Sequence, residues 1–204
     1  MQRVAAVILA AGESRRFGPE NKLLAEVGGM PLVRRVADAV KQGGISEIVV
    51  LTGHDRPAVE KALHDIPVQI RYNSNWERGM GTSIAAGISA LGADVDGAFI
   101  IPGDMALLSP NLIRKLIDVF EEDNGGSIAV PVTTRREQRN PVLWPRSYFP
   151  KLASLDGAEG AKKLLAEFGK SCKRLTISDD LLFGDVDTPD DLAVARARIA
   201  GDQR

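Results

Sequence analysis

The sequence predicts a three-layer α/β/α domain of Rossmann-like type built on a mostly parallel sheet. Short apolar runs rich in Val and Ile alternate with amphipathic stretches of helical length, the mark of successive β-α-β units. Several of the helical stretches carry Pro near their first turn, where its missing N–H costs nothing. A chain of 204 residues lies in the range where one domain buries a continuous core, and no repeat or low-complexity linker divides it. Residues 1–204 are therefore read as a single domain.

In chain order, the first strand is expected at Val4 to Ala10, then a helix at Pro31 to Gln42 and a strand at Glu47 to Thr52. A helix at Pro57 to His64 leads to a strand at Val68 to Tyr72, a helix at Gly81 to Leu91 and a strand at Ala98 to Ile101. Next come a helix at Pro110 to Glu122, a strand at Ser127 to Val132, a helix at Gly160 to Phe168 and a strand at Arg174 to Ile177. The last helix, Pro189 to Ile199, opens on Asp187-Thr188-Pro189-Asp190-Asp191, with a capping side chain, an early proline and acidic groups at the positive end of the helix dipole.

Composition narrows the partners. A formal charge of -1 supplies no net field for nucleic acid or an anionic membrane, which favours a small molecule. The single cysteine, Cys172, has no internal disulfide partner and no ligand-spaced neighbours, so a structural thiol in a reducing compartment is expected. Met1-Gln2-Arg3 before the apolar run Val4 to Ala11 superficially resembles a signal peptide. That run is too short to span a bilayer and flows into a glycine and a charged loop, so a cytoplasmic protein without membrane partner is expected.

In such sheets the ligand crevice lies beyond the carboxyl ends of the strands. After the first strand comes Gly12-Glu13-Ser14-Arg15-Arg16-Phe17-Gly18, followed by Lys22. Glycine lets backbone N–H groups approach an anion, guanidinium groups bind phosphate oxygens in pairs, and lysine adds a compact charge. The pattern is neither Walker A nor GxGxxG, and a solvated polar loop is the competing reading. Asp104 follows the apolar run Ala98-Phe99-Ile100-Ile101 and Pro102-Gly103, where a rigid strand end would aim a carboxylate at the crevice and suit Mg²⁺. Gly81, Thr82 and Ser83 open a helix and are expected to present donors, Trp76 to pack, and His54 to be structural, with a place beside the nucleotide as its competing reading. Arg135-Arg136 and Arg139 form a basic patch that a charged acceptor would use, and Trp144 is read as core or pocket wall.

These blocks together resemble the MobA-like nucleotidyltransferases, closest to the molybdenum cofactor cytidylyltransferase branch. The resemblance is carried by Leu9-Ala10-Ala11-Gly12-x-Ser14-x-Arg16-Phe17-Gly18 with Lys22-Leu23-Leu24, by Gly28-Gly29-Met30-Pro31-Leu32, and by Asn73 through Gly87. It continues through Pro102-Gly103-Asp104-Met105, Asn140-Pro141-Val142-Leu143, Asp156-Gly157-Ala158-Glu159-Gly160-Ala161 and Asp185-Val186-Asp187-Thr188-Pro189. Arg139 stands where branch members often have glycine, Phe17 replaces the commoner methionine and Ala106 the usual proline; only Arg139 bears on the acceptor pocket.

The resemblance implies the nucleotide-diphospho-sugar transferase type of fold and transfer of CMP from CTP to the phosphate of a molybdopterin-type cofactor, with release of pyrophosphate. It implies Mg²⁺ on Asp104 and Asp187, with Asp185 a weaker candidate, and catalysis by Arg16, Lys22 and Asp104. It places the nucleotide on Leu9, Ala10, Ala11, Gly12, Ser14, Arg16 and Lys22, with Gly53, Gly81, Thr82, Ser83, Pro102 and Gly103. The acceptor is assigned to Arg139, Asn140 and Asp156, and a recipient molybdoenzyme is a further implied partner. Guanylyl transfer, nucleotidyl transfer to a sugar or polyol phosphate, and a noncatalytic cofactor carrier remain alternatives. The branch carries L-A-A-G where the guanylyl branch carries L-A-G-G; the Ala11 methyl would occupy space that a purine needs.

Overall fold

The computed structural model describes residues 2–158 and 160–202, so Met1, Gln203, Arg204 and Glu159, the last within the expected acceptor-facing segment, lie outside the described residues. The chain alternates strands and helices as β1 (Val4–Ala10), β2 (Glu26–Val27), β3 (Met30–Pro31), α1 (Leu32–Gln42), β4 (Glu47–Thr52), α2 (Arg56–Ala62), β5 (Gln69–Tyr72), α3 (Met80–Ser89) and β6 (Gly97–Pro102). It continues as α4 (Pro110–Glu121), β7 (Ile128–Val132), β8 (Val142–Pro145), α5 (Phe149–Ala153), α6 (Lys162–Glu167), β9 (Cys172–Thr176) and α7 (Pro189–Asp202). No helix among the described residues is long and apolar enough to cross a membrane.

Seven strands form one sheet in the order β5-β4-β1-β6-β8-β7-β9, and β2-β3 form a separate hairpin. The pairings of β1 with β4 and β6, of β4 with β5 and of β7 with β9 are parallel. Strand β8 runs antiparallel to both of its neighbours, β6 and β7. Strand β8, the hairpin and α5 add to the expected elements: Val142–Pro145 directly follows Pro141 and itself ends on proline, too short and interrupted a segment to carry a strand signal.

The strands' period of two divides the core between the faces of the sheet. Ala6, Ile8 and Ala10 of β1 meet Val36 and Val40 of α1 and Leu112 and Leu116 of α4, whereas Val7 meets Ile84 and Ile88 of α3. On β8, Leu143 joins the first cluster and Val142 and Trp144 the second. A third cluster packs α7 against the hairpin and Phe17, closing the first loop from outside. The Ser109 hydroxyl caps α4 by accepting from the Leu112 N–H at 3.1 Å. Cys172 is half-buried and free, and burial pushes its thiol up from the ordinary value.

Candidate functional site

The parallel strands β1 and β6 lie side by side and end together, which brings the loop after Ala10 beside the turn that carries Asp104. Gly103 makes that junction tight: its N–H donates to the Leu9 carbonyl at 2.9 Å, and an added Cβ would stand 2.8 Å from the same oxygen. The Asp104 carbonyl in turn accepts from the Val186 N–H at 3.1 Å, so the segment with Asp185 and Asp187 is stitched beside Asp104. Asp187 is spared from helix capping. Thr188 and Asp191 close the start of α7 reciprocally, with Asp191 Oδ2 accepting from the Asp187 and Thr188 N–H groups at 3.1 and 2.8 Å.

Lys22 is delivered to the same point by the first loop. The Asn21 side chain accepts from the Leu23 N–H at 3.0 Å, and the Lys22 N–H donates to Ser14 Oγ at 3.2 Å, with Ser14 in a left-handed conformation. The Lys22 ammonium then lies 2.5 Å from Asp104 and 2.9 Å from Asp187, and Arg16 reaches Asp187 at 2.9 Å. Burial opposes the charge on Lys22, but Asp104 and Asp187 outweigh it and hold the ammonium above the ordinary lysine value. Asp185 is exposed as a residue. Crowding of protein around its carboxyl, followed by repulsion from Asp104 and Asp187, nevertheless pushes that group up to about 7.

Two cavities meet at this cluster, one of about 410 Å³ and one of about 510 Å³. Leu9, Arg16, Lys22, Met80, Pro102, Asp104 and Asp187 belong to both. The first adds Ala11, Gly12, Ser14 and Ser83, together with Glu13 and Trp76, which the sequence reading did not count as site residues. The second adds Arg139 and Asn140, together with Gln138, Lys162 and an apolar wall. Asn21 was missed as well; an asparagine just before the short Lys22–Leu24 helical turn is the signal that identifies it.

Six expected site residues line neither cavity. Ala10 faces the core below β1. At Gly53 an added Cβ would lie 2.7 Å from Trp76 and 2.8 Å from Ala11, so this glycine permits their close packing. Gly81 donates to the Gly157 carbonyl at 2.8 Å, and the Thr82 hydroxyl is engaged with the carbonyls of Asn75 and Gly79, so neither offers a free donor. Gly103 works through the turn just described, and Asp156 pairs with Arg78, tying the 156–158 loop to the turn before α3. His54 also lies outside both cavities, its ring 5.4 Å from that of Trp76. Arg135 and Arg136 are exposed and line neither.

Asp104 Oδ1 is buried and has no hydrogen-bond partner. A buried carboxylate oxygen in that state is costly unless a cation or donor completes it. Together with Asp187 it provides hard oxygen donors of the kind Mg²⁺ takes alongside water and phosphate. The residues present therefore fit a divalent ion.

Residues 6–174 match the sequence pattern of the MobA-like NTP transferase domain. Bifunctional protein GlmU of Caldanaerobacter subterraneus is 31% identical over 132 residues, 64% of this chain but 28% of the relative, so this chain spans little more than a quarter of that protein's length. Two relatives align over nearly their whole length. A probable molybdenum cofactor guanylyltransferase of Natronomonas pharaonis is 28% identical, covering 95% of this chain and 97% of its own. Nicotine blue oxidoreductase of Paenarthrobacter nicotinovorans is 29% identical, covering 91% and 92%. Among solved structures, a nucleotidyl transferase from Methanothermobacter thermautotroptrophicus superposes with a TM-score of 0.86 at 21% identity, over 99% and 100% of the two chains. A Mycobacterium tuberculosis protein in complex with manganese gives 0.79 at 22%, over 96% and 99%. The shared fold is that of the nucleotide-diphospho-sugar transferases.

Proposed function

The chain belongs to the MobA-like NTP transferase domain family, and from that premise we propose that it transfers CMP from CTP to the phosphate of a molybdopterin-type acceptor and releases pyrophosphate. The observation that carries this reading is the meeting of two cavities at Arg16, Lys22, Asp104 and Asp187. One cavity follows the glycine-containing first loop and suits the triphosphate; the other, with Arg139 and Lys162 in its lining, suits an anionic acceptor.

An oxygen of the acceptor phosphate forms a bond to the α-phosphorus. The bond from that phosphorus to the bridging oxygen breaks, and its electron pair leaves with pyrophosphate. The acceptor phosphate is already ionised near neutral pH, so no side chain has to remove a proton. Lys22 and Arg16 hold and neutralise the phosphate oxygens, and the rigid turn at Asp104 fixes the geometry. Asp104 and Asp187 are the residues that would hold Mg²⁺, which supplies further charge neutralisation when bound. The manganese complex of the mycobacterial neighbour supports a divalent ion.

The base preference rests on Ala11, which lines the first cavity and is packed against Gly53 and Trp76. On this reading its methyl would occupy space that a purine needs and a pyrimidine leaves empty. The relative named as a guanylyltransferase supports the second reading, GMP transfer from GTP. Incubating the protein with each of the four triphosphates, Mg²⁺ and molybdopterin, and following pyrophosphate and the dinucleotide product, tests both. The expected kcat/KM preference for CTP over GTP is roughly ten- to two-hundredfold, narrowed in Ala11→Gly. A preference for GTP overturns the nucleotide assignment, and absence of pyrophosphate with every triphosphate overturns the transferase reading.

A further inference from the structure

We propose that Met80 shields the reacting phosphorus from water: its side chain stands where the two cavities meet, touches both bound substrates, and makes transfer to the acceptor outrun hydrolysis of the triphosphate. The inference rests on the transferase reading for the identity of the two cavities, and adds to it the means by which water is kept from competing.

Four large apolar side chains stand exposed among the described residues: Tyr72, Met80, Leu181 and Val194. Met80, at 52%, is the one of these that lines either cavity, and it lines both. It shares the junction with four charged residues, Arg16, Lys22, Asp104 and Asp187, and with Leu9 and Pro102. Leu9 and Pro102 are register partners at the ends of β1 and β6 and so belong to the sheet, whereas Met80 arrives from outside it as the first residue of α3.

The chain holds Met80 at that point by clamping its backbone on both sides. Gly79, at φ +121°, has no room for a side chain, since an added Cβ would stand 2.6 Å from the Gly157 carbonyl. At Gly81 a Cβ would stand 2.9 Å from the same oxygen, to which the Gly81 N–H donates at 2.8 Å. The ion pair of Arg78 with Asp156 adds a third tie across this contact. The side chain is braced as well: a Cβ on Gly160 would lie 3.1 Å from Met80 Sδ. A lone exposed apolar residue is ordinary on a protein surface. One whose two neighbours are locked to a second loop, at the meeting point of two cavities, keeps a fixed place beside whatever binds there.

Transfer and hydrolysis differ only in the oxygen that attacks. In hydrolysis a water oxygen bonds to the α-phosphorus, the same bridging P–O bond breaks, its electron pair leaves with pyrophosphate, and the water proton passes to solvent, leaving CMP. Arg16 and Lys22 neutralise the phosphate oxygens whichever oxygen attacks, so their charges favour both reactions alike. Discrimination then has to come from keeping water out of the junction. A methionine suits that task. Its thioether is a weak acceptor that holds no water in place, and its unbranched chain adapts to the gap between two ligands.

The test incubates the full chain with CTP, Mg²⁺ and molybdopterin in H₂¹⁸O and follows dinucleotide, CMP and pyrophosphate by mass spectrometry. Wild type is expected to give dinucleotide with a trace of CMP. Met80→Ala is expected to raise the ratio of CMP to dinucleotide at least about tenfold, with ¹⁸O in the CMP phosphate, as attack on the α-phosphorus requires. Met80→Leu, apolar and of similar volume, should bring the ratio back to within about threefold of wild type. A packing defect or a loss of substrate affinity slows both products together and leaves the ratio where it was. An unchanged ratio in Met80→Ala, an equal rise in Met80→Leu, ¹⁸O in pyrophosphate in place of CMP, or release of the same CMP by Met80→Ala from purified dinucleotide overturns the proposal. Wild-type protein that forms no pyrophosphate with acceptor present would instead defeat the transferase reading and this inference with it, a result distinct from normal wild-type transfer with an unaltered ratio in the variant.

Discussion

Lys22 places one ammonium between two carboxylates, 2.5 Å from Asp104 and 2.9 Å from Asp187, and so occupies the position where a cation is wanted. Removing it as Lys22→Ala leaves the two anions facing each other. The variant is expected to bind Mn²⁺ several-fold more tightly than wild type in the absence of nucleotide, read by electron paramagnetic resonance, while its single-turnover rate falls. Weaker Mn²⁺ binding would show that Lys22 orders the carboxylates for the metal and does not compete with it. Asp104→Asn removes a ligand charge at nearly constant volume and should slow pyrophosphate release by at least about a hundredfold, since the lost stabilisation amounts to several kcal/mol. A rate within about threefold of wild type would sink the metal assignment. Asp104 and Lys22 were legible in the sequence because each follows a strand in a loop of suggestive chemistry. The ion pair of Lys22 with Asp187, 165 positions away, and the place of Met80 between the two cavities were not, because tertiary packing decides who meets whom.

Among the elements, α3 lies unusually close to the sheet, and Gly87 is the reason it can. A Cβ there would stand 2.3 Å from Val7 Cγ1 and 2.8 Å from Leu51 Cδ2, both side chains of the buried core. Alanine in a helix gains about 1 kcal/mol over glycine from backbone entropy, whereas overpacking a filled core costs about 1–3 kcal/mol. With contacts this short the second effect wins, so Gly87→Ala should lower stability by about 1–2 kcal/mol in urea unfolding with an unchanged m-value. A stabilised variant would mean that α3 shifts freely, and the position of Ser83 and Met80 at the cavity would then not be set by this contact. The six expected strands fall within one or two residues of the observed ones, including the weakly apolar β5 and β9. Strand β8 was not legible, because the three residues between Pro141 and Pro145 carry too little periodicity; its pairing is dictated by β6 and β7 on either side.

At the scale of the whole molecule, the two cavities are separate over most of their walls and share seven residues where they meet. If each cavity takes one substrate, as proposed, that arrangement would bring the two to one point and predicts direct transfer between them. The shared residues include no hydroxyl, thiol or imidazole, and the one amine, Lys22, is held protonated above its ordinary value by Asp104 and Asp187 after the opposing effect of burial. A protonated amine has no lone pair with which to attack phosphorus, and the carboxylates of Asp104 and Asp187 are ion-paired with Lys22 and Arg16, so the junction holds no free nucleophile for a covalent enzyme–nucleotide intermediate. Incubation with CTP, Mg²⁺ and ³²P-labelled pyrophosphate in the absence of acceptor should therefore place no label in CTP. Adding the acceptor should start exchange, because pyrophosphate is formed only when both cavities are filled. Rapid exchange without acceptor would reveal a nucleotidylated protein, and the labelled residue would have to replace Lys22 and Arg16 as the centre of the mechanism.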